Sequence, residues 1–102
     1  MNEMAAAQLV ELLRERRAAA LGTLHAGAPY VSMVPYAIAP DDSGLLIHVS
    51  RLASHTKDML ADARVSLLVT QDEGGGTSAL ALMRASIQGT AQEIASDAPV
   101  LP

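Results

Sequence analysis

From Met4 to Arg17 the chain carries no Gly or Pro, and Leu9, Leu12 and Leu13 recur at helical spacing while Glu11, Arg14, Glu15 and Arg17 take the other side. The pattern predicts one amphipathic helix over about 4–17. The period then changes. Ala19 to Leu24 is a short apolar run, His25-Ala26-Gly27-Ala28-Pro29 is turn chemistry, and Tyr30 to Ile38 is rich in strand formers, which together predict a hairpin. Pro40-Asp41-Asp42-Ser43-Gly44 signals a second turn, and Leu45 to Ser50 alternates as a third strand. Ser54 to Ala63 contains no breaker, opens with hydroxyls and charges, and offers Met59 and Leu60 for burial, so it predicts a short helix. Val65 to Thr70 is a fourth strand, and Gln71 to Ser78, with Gly74-Gly75-Gly76, is a loop. In the last segment Arg84, Ser86, Gln88, Thr90 and Gln92 alternate with Met83, Ala85, Ile87, Gly89 and Ala91, a strand with one wet and one dry face.

Strands joined mostly by hairpins, with one short helix between them, imply a mainly β fold whose antiparallel sheet curls or closes. No internal repeat appears, and 102 residues suffice for one domain only, spanning 1–102 with its barrel over about 19–94. Half the residues are apolar and 18% are charged, which fits a packed domain. With no Phe or Trp and only Tyr30 and Tyr36, the core is built of aliphatic side chains and alanines. A chain of this size buries roughly 60–70% of its unfolded surface, so a cofactor or a second subunit would add needed stability.

The charge balance excludes several functions. Seven basic against eleven acidic residues give a net charge of −4, with no electrostatic footprint for nucleic acid. The absence of cysteine removes disulfides, thiolate metal sites and cysteine nucleophiles, and suits a reducing compartment. No apolar run approaches membrane-spanning length and no signal peptide is evident, so the expectation is a cytoplasmic protein without membrane contact.

Five groups of residues have chemical potential. Ser50-Arg51-Leu52-Ala53-Ser54-His55-Thr56-Lys57 runs into a helix start, where unpaired N–H groups, hydroxyls and cations suit a phosphate; capping by Ser54 or Thr56 is the commoner use of such residues. Pro35 interrupts Tyr30 to Ile38 and marks a place where pairing stops, either facing a ligand or simply lying at an edge. His25, His48 and His55 share no ligand spacing, so no metal site is expected. Glu73 to Ser78 lacks the lysine of a phosphate loop. Arg84, on a polar strand face, suits solvent or an anionic ligand. No nucleophile elbow or paired carboxylates support hydrolysis, so any enzymatic chemistry would belong to a cofactor.

Leu21-Gly22-Thr23-Leu24 followed by Gly27-Ala28-Pro29-Tyr30-Val31-Ser32-Met33-Val34-Pro35-Tyr36 resembles the opening hairpin of the pyridoxamine 5′-phosphate oxidase-like FMN-binding split barrels. Leu45 to Ser50, Leu52-Ala53-Ser54-His55-Thr56, Asp62 to Val69 and Arg84 to Gly89 follow in the family's order, most similar to its haem-utilisation branch. The resemblance covers about Ala19 to Glu93. It implies an antiparallel split β-barrel, a homodimer, and FMN at the subunit interface. Ser32, Met33, Val34, Pro35 and Tyr36 would run along the flavin through their backbone, with His48, Val49 and Ser50 beside it. Ser54, His55 and Thr56 would hold the phosphate, and Arg84 would reach the cofactor from the late strand. Where the oxidase has an Arg-Lys pair at the phosphate, this chain has Ser54-His55. Family members also continue past the point where this sequence stops, so the expected barrel lacks its last strand and C-terminal helical part. The implied function is an FMN-dependent oxidoreductase with no catalytic side chain identified. Haem binding or degradation on the same fold, or a cofactor-free dimerisation module, are the alternatives.

Overall fold

A computed structural model of the chain describes residues 2–41, 43–72 and 82–94. Helix α1 (Glu3–Glu15) precedes β1 (Ala18–His25), β2 (Ala28–Ile38) and β3 (Leu45–Ile47). Helix α2 (Ser54–Ala61), β4 (Arg64–Thr70) and β5 (Arg84–Thr90) follow. The five strands form one curled antiparallel sheet in the order β3-β2-β1-β4-β5, the arrangement of a split barrel. The Gly74–Gly76 loop and the final Ala98 to Pro102 lie outside the described residues. Among the described residues, no helix is long and apolar enough to cross a membrane.

Asn2 caps α1 by accepting the Ala5 N–H at 2.7 Å. The helix stops at Glu15 rather than Arg17 because the sheet takes the chain over: Arg16 is already extended, and the Arg17 carbonyl accepts the Tyr36 N–H at 3.0 Å. The hairpin turn is also tighter than the sequence suggests. Ala28 and Pro29 belong to β2, and the connection is only Ala26-Gly27, with φ of 50° and 84°. Positive φ at both central positions matches the right-handed twist of the flanking strands, and Gly27 takes its share without steric cost.

The β1–β2 ladder explains both prolines of β2. Since the Tyr36 N–H faces β1, alternation turns the N–H side of odd-numbered residues away from β1. Pro29 and Pro35 occupy such positions, so neither interrupts the long β1–β2 register from Ala18↔Pro35 to His25↔Ala28. The pairing that Pro35 ends is the one with β3. The His48 N–H reaches the Pro35 carbonyl at 3.4 Å, but Pro35 has no N–H to return the bond. Strand β3 therefore covers Leu45–Ile47 only, and His48, Val49 and Ser50 leave the sheet, shorter than the Leu45 to Ser50 strand expected.

The core lies between the inner face of the sheet and the helices. Leu12, Ala19, Leu21, Val34, Tyr36, Leu67 and Val69 are its buried members, with Val49, Met59, Val65, Ala85 and Ile87 packed against them. Alternation along β1, β2 and β4 puts these residues on one face. The Tyr36 hydroxyl donates to the Leu13 carbonyl at 2.7 Å, tying β2 to the last turn of α1. Burial pushes the Tyr36 phenol pKa up, and the Arg16 charge partly counters it. Strand β5 keeps its expected dry side in Ala85 and Ile87 and its wet side in Arg84, Ser86 and Gln88.

Candidate ligand site at the start of helix α2

Helix α2 packs on β1, and its inward residues meet the inner face of the hairpin. Ala53 is its N-cap residue and no side chain caps it, so neither Ser54 nor Thr56 has the capping role. Thr56 instead donates from Oγ1 to the Ser50 carbonyl, and Ser50 Oγ accepts the Leu52 N–H at 3.2 Å. These bonds fix the loop that leads from β3 into the helix. The helix ends at Ala61, two residues early, where Asp62 turns extended and binds Arg64 through two side-chain contacts of 3.0 and 2.7 Å. That pairing lowers the Asp62 pKa to about 2 and raises that of Arg64.

His55 Nδ1 lies 3.0 Å from Ser32 Oγ, joining two residues 23 positions apart. Its other ring nitrogen, Nε2, is buried and has no hydrogen-bond partner. A buried polar atom left without a partner costs about 1–3 kcal/mol, and such atoms mark places where a ligand or water completes the structure. Ser32 and His55 thus meet where helix α2 begins. A hydroxyl and an imidazole beside a helix N-terminus suit an anion such as a phosphate.

The remaining residues distribute unevenly around this point. Val34 and Tyr36 are 2% and 8% exposed and belong to the core, and their backbone N–H groups face β1. Met33 and Pro35 stand exposed on the outer sheet face. His48, Ser50 and Ser54 are exposed, and Val49 packs against the core. Arg84 is exposed on β5, separated from β2 by β1 and β4, so it does not join the Ser32–His55 cluster.

A second polar cluster has no counterpart in the sequence reading. Asp58, one turn after His55 on α2, is 5% exposed; its Oδ1 lies 2.6 Å from His25 Nδ1, and its Oδ2 accepts from Thr23 Oγ1 at 3.2 Å. The only sequence signal was a carboxylate three positions after His55 and directly before Met59, on the buried face of an amphipathic helix. Among the described residues, no group of three or more His, Cys, Asp or Glu is placed to hold a metal.

One solved structure superimposes on the chain with a TM-score of 0.85 at 30% identity, covering 95% of this chain and 65% of its own. HutZ, a haem storage protein from Vibrio cholerae, gives 0.79 at 24% identity over 91% and 65%. A haem-binding protein from Mycobacterium smegmatis gives 0.69 at 24% identity over 84% and 36%. The chain therefore spans 65% of the length of the first two and 36% of the third. No curated protein sequence matches it. The sequence profile described as pyridoxamine 5′-phosphate oxidase matches residues 5–101, nearly all of the curled sheet and both helices. On that match and that fold, the chain belongs to the pyridoxamine 5′-phosphate oxidase family.

Proposed function

We propose that this chain is an FMN-binding flavoprotein of the oxidoreductase type, acting as a homodimer. The observation that carries the reading is the partnerless, buried Nε2 of His55 beside Ser32 at the start of α2. FMN, when bound, supplies the redox chemistry. Ser32, His55 and the first N–H groups of α2 hold its phosphate, with Ser54 and Thr56 around them. The backbone of Met33 to Tyr36 follows the ring system, and the loop His48-Val49-Ser50 borders it. Arg84 contributes only if the outer face of β5 meets the partner protomer.

Support for the dimer comes from the outer face of the sheet. Met33, 67% exposed, and Leu68, 39% exposed, flank Ala20 in the register, and Val31, 69% exposed, pairs with Gly22. A contiguous apolar row of this kind is uncommon on a surface left to water.

Replacing His55 by Leu tests the phosphate assignment. FMN affinity falls by about tenfold, the equivalent of one lost hydrogen bond to a charged group. Stability in the absence of ligand changes little, because the variant removes the unsatisfied buried Nε2 but also the Ser32 contact of Nδ1. Unchanged FMN affinity would remove His55 from the site.

Haem is the second reading, favoured by the haem-handling names of two structural neighbours. A histidine would then serve as the axial ligand.

A further inference from the structure

An open groove of about 520 Å³ lies between the end of α1 and β2. Arg14, Arg16 and Arg17 line it together with Pro35, Ala37 and Ile38. The three arginines come together because the helix ends between them. Arg14 sits in the last turn of α1, Arg16 is the extended cap residue, and Arg17 already pairs with Tyr36.

This concentration of charge is unusual in a chain with net charge −4 and seven basic residues. Among the described residues, Arg51 is paired with Glu93 at 3.6 Å and Arg64 with Asp62 at 2.7 Å, and Arg84 has its own interaction. No carboxylate among the described residues forms an ion pair with Arg14, Arg16 or Arg17. Arg16 is half-buried, and Arg14 and Arg17 are exposed. A volume of this size lies within the roughly 300–1,000 Å³ of small-molecule sites.

We infer that the α1–β2 groove binds a small organic anion, a carboxylate or phosphate carried on an apolar ring or chain. The guanidinium forks take the anionic end in planar, bidentate fashion. Pro35, Ala37 and Ile38 take the apolar body. The groove lies beyond the Ser32–His55 cluster, Ala37 being five residues past Ser32 on β2, about 16 Å along a strand, and it borders the proposed flavin path at Pro35 and Tyr36. The inference does not depend on flavin binding.

The test uses the purified full chain and two isosteric probes, 1-naphthoate and neutral naphthalene-1-methanol, titrated by calorimetry at low salt. Naphthoate should bind at least tenfold more tightly than the alcohol. Arg16→Gln should lower naphthoate affinity about tenfold, as loss of one charge-assisted contact requires. Arg64→Gln, whose partner is Asp62, should change nothing. If Arg16→Gln does not fold, the exposed pair Arg14→Gln and Arg17→Gln must still weaken naphthoate. Equal affinity for the two probes, no binding of naphthoate, or undiminished binding by the arginine variants would overturn the inference.

Discussion

His25 Nδ1 lies 2.6 Å from Asp58 Oδ1, so the tip of the β1–β2 hairpin is held directly to helix α2 across 33 residues of sequence. The two partners differ in environment. The Asp58 side chain is 5% exposed, whereas that of His25 is 64% exposed. Asp58 depends on its partners more than His25 does, because a buried carboxylate without hydrogen bonds is strongly disfavoured.

Removing His25 should therefore cost more than an ordinary surface substitution. His25→Ala leaves Asp58 with Thr23 Oγ1 alone, and the expected destabilisation is about 1–2 kcal/mol, reduced from the buried-pair range because the imidazole is largely solvated. Urea unfolding of His25→Ala, Asp58→Asn and the double variant measures it. The double-mutant cycle should show a coupling of about 1 kcal/mol. Strictly additive losses would mean that the contact carries no stability.

The Asp62–Arg64 pair sets a distinct acid response. The carboxyl pKa is lowered to about 2 from 3.8, mainly by the hydrogen bonds from Arg64. A depressed acid stabilises the fold above its unfolded value and loses that contribution as pH falls through the folded value. The window is thus between about pH 4 and pH 2. Carboxyl-carbon NMR should place the Asp62 midpoint near 2, and Arg64→Gln should raise it part of the way to the ordinary carboxylate range, since the backbone N–H of residue 64 still donates to Oδ1. An unchanged midpoint in the variant would remove Arg64 as the cause.

On the outer sheet face, Leu68 stands across Ala20 from Met33. If a second copy covers this row, Leu68→Glu places a charge in an apolar contact and should convert a dimer to a folded monomer. Light scattering after size exclusion reads the mass, and circular dichroism checks the fold. A dimer that survives Leu68→Glu, or a wild-type chain already monomeric, contradicts this use of the face.

The order of elements was legible in the sequence because hydrophobic period and breakers agree along most of the chain. Strand β5 is the clearest instance, where Arg84, Ser86 and Gln88 alternate with Ala85 and Ile87. The boundaries were less legible where tertiary pairing decides them. Arg16 and Arg17 continue a helical pattern, yet the bond from Tyr36 to Arg17 draws them into the sheet. His48 to Ser50 continue a strand pattern, yet Pro35 cannot complete their ladder. Pro35 itself was readable as a break, but which of its two neighbours it spared depends on the parity of β2. In the candidate site, Ser54-His55-Thr56 stood out locally, whereas the Ser32–His55 contact is a property of the packed chain. The His25–Asp58 pair and the arginine groove join segments that no local pattern connects.

The central claim is that the chain holds FMN, and the visible absorption spectrum of the freshly purified protein tests it most directly, followed by heat release and identification of the chromophore. The account predicts flavin bands, with FMN in the released fraction. A protein that is colourless and also fails to bind added FMN would contradict it, and a Soret band in place of flavin would give the site to haem.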